Sequence, residues 1–255
     1  MNSAAFGRMR ALGRAELTLL LRNRTAVFTA ALLPVGMVVF MRATMKDIDL
    51  AGTGLHFTGV LMTGGIATVL LMVVYANLVP AYVTRREELV LKRLRTGEAA
   101  DWEILTGTAL PVVVVALVQC VVLVAAGALL MDVGLPKRPL LLLAGLVLGV
   151  VMMVTFAAAT AIVTRTVESA QITALPLMMV SLGASGLFVP LEIFPDAVES
   201  GLRLLPLSPV VDVVRGGWLG SLDASGTVRA LAVAVVWTVL LVFAVQRWFR
   251  WEPRR

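Results

Sequence analysis

The sequence predicts an all-α membrane protein with six transmembrane helices. An N-terminal amphipathic helix lies along the membrane surface, an outer re-entrant hairpin precedes the sixth span, and both termini are cytoplasmic. Three observations predict this. First, the 255 residues are 59% hydrophobic and only 15% charged, with a mean hydropathy of +0.93, whereas soluble domains run at about 45–50% apolar and 25% charged. Second, the charges are bunched, leaving charge-free runs close to the about 20 residues that a spanning helix needs. Third, the basic residues divide unevenly between the two sides that six spans define.

Taken in order, residues 1–24 place Phe6, Met9, Leu12, Leu17, Leu20 and Leu21 at near-helical spacing among Arg8, Arg10, Arg14 and Glu16. Such a pattern predicts a helix lying in the membrane interface. The first charge-free run, 25–41, is slightly short for a span, so Arg24 and Arg42 are expected to snorkel. No small-residue cleavage site follows it, and the segment reads as an uncleaved span. The second run, 50–84, is too long for one span and too short for two. Gly52 and Gly54 assign residues 51–56 to an outer loop and the remainder to a span. Runs 104–131, 139–164, 169–191 and 230–246 supply spans three to six.

With six spans both termini share a side. The segments on that side hold 15 of the 22 basic residues and the opposite segments hold 7. The positive-inside rule therefore places the termini, and residues 84–105, in the cytoplasm. The net charge of +6 is explained by this bias and by contact with the bilayer, with no nucleic-acid partner. In the basic tail, Trp248 and Trp251 suit the headgroup region.

Residues 84–105, TRREELVLKRLRTGEAADWEIL, form a polar island carrying ten charges between two spans. Glu88 and Lys92 are spaced for a helical i,i+4 pair. Gly97 ends the helix, and Glu98, Asp101 and Glu103 gather at the start of the next. A mere connector needs few residues, as TRTVES between the fourth and fifth spans shows. The exposed leucines Leu89, Leu91 and Leu94, flanked by Arg85, Arg86, Glu87 and Glu88, predict a docking surface for a cytoplasmic partner.

The segment 185–225 is too short to span and too apolar for a free loop. Pro195 opens a short helix with Asp196 and Glu199 in its first turn, and Asp212 and Arg215 are spaced to pair on one helix face. Irregular backbone at membrane depth must be buried in protein or line a wet cavity. This segment, with Phe188, Pro190, Pro195, Asp212 and Arg215, is the expected re-entrant element. Asn77, Gln119, Gln171, Ser181 and Ser185 are polar residues within apolar runs and candidate lining for a pathway, although such groups more often bond neighbouring helices.

The chemistry that the sequence lacks is equally informative. There is no Walker loop. Zinc motifs are missing, His56 is the sole histidine, and Cys120 the sole cysteine. No catalytic residue, metal site or cofactor site is expected. Gly183-Ala184-Ser185-Gly186 matches the G-x-S-G of rhomboid-type intramembrane proteases. Such a serine needs a histidine base, and His56 precedes it at the far edge of the second span. No acid or base interrupts the runs themselves, which weighs against an ion-coupled secondary transporter.

The chain resembles the membrane subunits of type-2 ABC export systems, the permeases of drug, lipid and polysaccharide exporters. The resemblance rests on Arg86-Glu87 opening a charged helix after the second span, on Trp102-Glu-Ile-Leu105, and on an ordered outer pattern. That pattern runs through SGLFVP at 185–190, Phe194-Pro195, LPLSP at 205–209 and residues 210–215. It implies a single permease domain over 1–255, comprising an interfacial helix (1–24), a coupling loop (84–103) and an outer re-entrant segment (185–225). It further implies a second permease copy or related chain, and a separate cytoplasmic ATPase dimer that carries ATP and Mg. By this resemblance residues 85–95 contain the coupling helix. The apolar spans favour an apolar or amphiphilic cargo, drug- or lipid-like, over a polysaccharide.

Overall fold

Apolar runs broken by proline, glycine and charge become a bundle of long helices in the computed structural model, which describes residues 36, 39, 57–95, 100–131, 134–187, 191, 194–249 and 251–252. Among the described residues there is no strand. The helices are α1 (Phe57–Val69), a π-helical turn (Leu70–Tyr75), α2 (Ala76–Glu87), α3 (Val90–Arg95), α4 (Asp101–Met131), α5 (Pro139–Val163), α6 (Val167–Ala184), α7 (Asp196–Leu202), α8 (Ser208–Leu219) and α9 (Ala224–Trp248). Five continuous helices are long and apolar enough to cross a membrane: Gly59–Glu87, Asp101–Leu129, α5, α6 and α9. They correspond to predicted spans two to six. The predicted surface helix and most of the predicted first span lie outside the described residues; Gly36 and Val39 within that span are helical.

Helix ends depart from the charge-free runs because caps, and not charge, set them. Span three begins at Asp101, where Glu103 accepts the backbone N–H of Ala100 at 3.1 Å. Span six begins at Ala224, since Asp223 caps it by accepting the Gly226 N–H at 2.8 Å, so Arg229 lies inside the helix. Span five ends at Ala184, well before residue 191, because Gly186 turns the chain at φ +73°. The tight turn between spans four and five is as expected. Thr166 and Ser169 form a reciprocal cap that starts α6.

Gly59–Glu87 is the most buried of the five long helices. It is the hub against which α4, α5, α6 and α8 pack. The wide turn at 70–75 sits one turn before Pro80, and Ala76 N–H reaches Leu71 O across five residues. Such a turn leaves backbone carbonyls short of helical donors. The Asn77 amide supplies them, donating to Met72 O at 3.0 Å and Val73 O at 2.9 Å.

The α7–α8 hairpin lies against the bundle. The Trp237 indole N–H donates to Leu204 O at 2.9 Å. Trp237 stands thirteen residues along α9, about 20 Å from its start by helix rise. α8 then runs back antiparallel to α5: Val210 meets Gly149, Val213 and Val214 meet Gly145, and Gly217 meets Leu142. A Cβ on Gly217 would lie 2.5 Å from Leu142 N, so glycine is what permits this approach. The last carbonyls of α8 are not orphaned, because Lys137 and Arg138 N–H groups reach Trp218 O and Gly217 O at 3.1 and 2.9 Å.

Candidate functional site

The polar island folds into a corner where the hub helix ends. The sequence predicts one charged helix opened by Arg86-Glu87 and ended by Gly97, which lies outside the described residues; the structure breaks it. α2 ends at Glu87, Leu89 adopts φ +61°, and α3 begins at Val90. A left-handed leucine costs about 1–2 kcal/mol, so this break is held by what surrounds it.

Arg86 is the main holder. It is 1% exposed. Its guanidinium donates to Ala161 O at 2.8 Å, Thr164 O at 2.7 Å and Arg165 O at 3.3 Å. These are carbonyls at the end of α5 and in the turn to α6, which a helix leaves without backbone donors. A positive charge there also opposes the negative end of the α5 dipole. Arg86, expected at a docking surface, is therefore an internal clamp joining the hub to the α5–α6 turn. Its neighbour Arg85 donates to Thr108 at 3.1 Å and so ties the hub to α4.

The leucines separate in the same way. Leu91 is fully buried, whereas Leu89 and Leu94 are 38% and 43% exposed. Glu87 and Glu88 are exposed. Lys92 pairs with Glu252 at 2.8 Å in place of the predicted Glu88. Arg95 bonds Asp101 at 3.1 Å and lies 4.9 Å over the Trp251 ring. Phe249 packs edge-on against Tyr82 of α2 and against Trp251. The C-terminal tail thus grips α3, a contact that sequence spacing could not reveal.

The candidate pathway residues do not converge. Asn77 is exposed and spent on the wide turn, Gln119 is buried on α4, and Gln171 is exposed on α6. Only Ser181 and Ser185 share a face, one turn apart on α6 and its cap; both are buried, and their hydroxyls have no partner among the described residues. In the hairpin, Asp212 is held by Arg203 at 2.9 Å, and Arg203 also bonds Glu199 at 2.7 Å. Arg203, which the sequence pattern did not single out, is the link between α7 and α8. Arg215 donates to Gly186 O and holds the turn after α6. Pro195 sits at the cap of α7. Phe188 and Pro190 lie outside the described residues, as does His56, the only base available to Ser185.

A family model described as ABC-2 type transporter matches residues 8–219. The chain belongs to the ABC-2 type transporter family. That assignment, with five long apolar helices, makes it a multi-pass membrane component of an ABC transporter. Membrane subunits of this family are typically non-catalytic and in general work with an ABC ATPase. Comparison with curated proteins returned no match.

Proposed function

We propose that this ABC-2 chain is the permease subunit of an ATP-driven exporter, moving an apolar or amphiphilic compound of drug- or lipid-like character out of the cell. ATP and Mg bind a separate cytoplasmic ATPase dimer, and the chain pairs with a second permease copy or a related chain. It is a single permease domain of six spans with both termini cytoplasmic. The contacts of Leu204 with Trp237 and of Val210 with Gly149 support a hairpin re-entering from the outer face to about mid-membrane depth. The 15-to-7 division of basic residues between the two sides, five of them in 84–105, supports a cytoplasmic corner.

The observation that carries this reading is the division of labour at that corner. Leu89, Leu94, Glu87 and Glu88 are exposed where an ATPase groove can meet them, while Arg86 and Leu91 anchor the same segment to the bundle. Force applied to α3 passes through Arg86 to the α5–α6 turn and through Lys92 and Arg95 to the tail of α9. Reversing the charge of Glu87 should lower ATPase association and export together, measured by co-purification and by ATP-dependent export from inverted vesicles. Intact association and export in Glu87→Lys would overturn the docking assignment. Export that needs an ion gradient and no ATPase would instead indicate a carrier.

A further inference from the structure

At the α3 end of the bundle, helices α2, α3, α4, α5 and α9 and the tail line an open cavity of about 580 Å³. This falls within the about 300–1,000 Å³ of small-molecule sites. Its apolar lining is formed by Leu105, Val154, Ala158, Val242 and Val245, all partly or fully buried. The hydroxyls there are already spent: Thr106 and Thr155 donate to Trp102 O and Val151 O, and Tyr82 to Leu105 O, while the exposed Gln246 amide of the lining makes no side-chain hydrogen bond among the described residues. Its exposed rim carries Trp102 and two cations, Arg95 and Arg247, beside the half-buried Phe249 and Trp251. Arg95 is neutralised by Asp101 and covered by the Trp251 ring. Arg247 makes no ion pair or hydrogen bond among the described residues.

We propose that this cavity binds an anionic amphiphile. Its alkyl chain lies against Val154, Ala158, Val242 and Val245, and its phosphate-like head meets Arg247. An apolar wall whose neighbouring hydroxyls are spent on the backbone selects a hydrocarbon chain. An uncompensated guanidinium beside indole rings selects a negative head at the headgroup level. A lipid of the inner leaflet and a single-chain amphiphile from the cytosol share this chemistry. The site depends on the membrane placement of the chain and not on the cargo reading above.

The test uses the full chain in phosphatidylcholine nanodiscs with two diazirine-bearing probes, a two-chain phosphatidylglycerol mixed into the bilayer and dodecyl phosphate added from solution. Labelled residues are located by mass spectrometry. Labelling within 154–158 and 242–247 is expected, at least fivefold lower in Arg247→Gln and competed by unlabelled phosphatidylglycerol but not by phosphatidylcholine. Labelling by the bilayer probe alone identifies a lipid site, and labelling by dodecyl phosphate as well identifies a site open to a cytosolic amphiphile; both support the proposal. Labelling by neither probe, as when another segment of the chain fills the cavity, overturns it. So does labelling that is equal for a phosphatidylcholine probe or unchanged in Arg247→Gln. Because Arg247 is exposed, its replacement is expected to leave the packing of the bundle intact. ATP-dependent export measured in parallel separates failure of this site from failure of the transporter reading.

Discussion

The guanidinium of Arg86 lies 2.7 Å from the carbonyl oxygen of Thr164, 78 residues away in sequence. That bond joins the end of the hub helix to the turn between α5 and α6. It converts a residue that looks like surface charge into part of the interior. Removing it should leave carbonyls at the end of α5 without a donor. Arg86→Ala is therefore expected to destabilise the chain by about 3 kcal/mol, seen as a lowered midpoint in thermal unfolding in detergent. Arg86→Lys should recover only part of this, because a single ammonium cannot span the separated carbonyls as the guanidinium fork does.

Leu91 and Leu94 lie three residues apart but should respond differently to the same change. Leu94→Asp alters an exposed side chain and is expected to weaken ATPase co-purification by about tenfold, a loss of about 1.4 kcal/mol of binding, while thermal stability stays the same. Leu91→Asp buries a carboxylate and should lower thermal stability first. Equal effects of the two on stability would show that α3 does not present one face outward.

The approach of α8 to α5 rests on glycine. Gly217→Ala would place a methyl 2.5 Å from Leu142 N, and backbone cannot move aside as a side chain can. A cost of about 1–3 kcal/mol is expected. Gly183→Ala is the control, since nothing lies within 4 Å of its Cβ position and it is helical. It should be neutral or slightly stabilising. Both are read by denaturation in detergent.

At the start of α9, the Ser225 hydroxyl and then the Gly226 N–H hold the Asp223 carboxyl below its ordinary value. A depressed folded-state pKa contributes stability that is full above the unfolded value and is lost as pH falls through the folded one. Acidification below the usual aspartate range should therefore fray the first turn of α9. Protection of the Gly226 amide, relative to its intrinsic exchange rate at each pH, should fall over that window, and Asp223→Asn should abolish the pH dependence while keeping a cap.

Much of the architecture was legible in the sequence because apolar length is a local property. Spans two to six fall on the charge-free runs, and Pro139, which opens one run, opens a real helix. Ends set by capping were missed by several residues, as Asp223 shows, because a capped helix continues past a charge. The corner was legible as a corner, but its internal division was not. Helical spacing could not place Leu91 inside and Leu94 outside once Leu89 broke the helix. Nor could it join Arg86 to Thr164, Lys92 to Glu252, or Asp212 to Arg203, since those partners are fixed only when distant elements pack. Asn77, Gln119 and Gln171 lie apart in the bundle, because polarity within an apolar run does not say which face of its helix a residue takes.

The most direct test of the coupling corner exploits the single native cysteine, which is buried on α4. In a Cys120→Ala background, Leu94→Cys offers one exposed thiol on α3. The full chain would be reconstituted with its ATPase and treated with a short thiol-to-amine cross-linker, with and without ATP. A coupling corner at α3 should give a cross-link to the ATPase whose yield changes with ATP, together with loss of ATP-driven export on attaching a bulky maleimide. Export that survives maleimide attachment, with no cross-link to the ATPase, would contradict it.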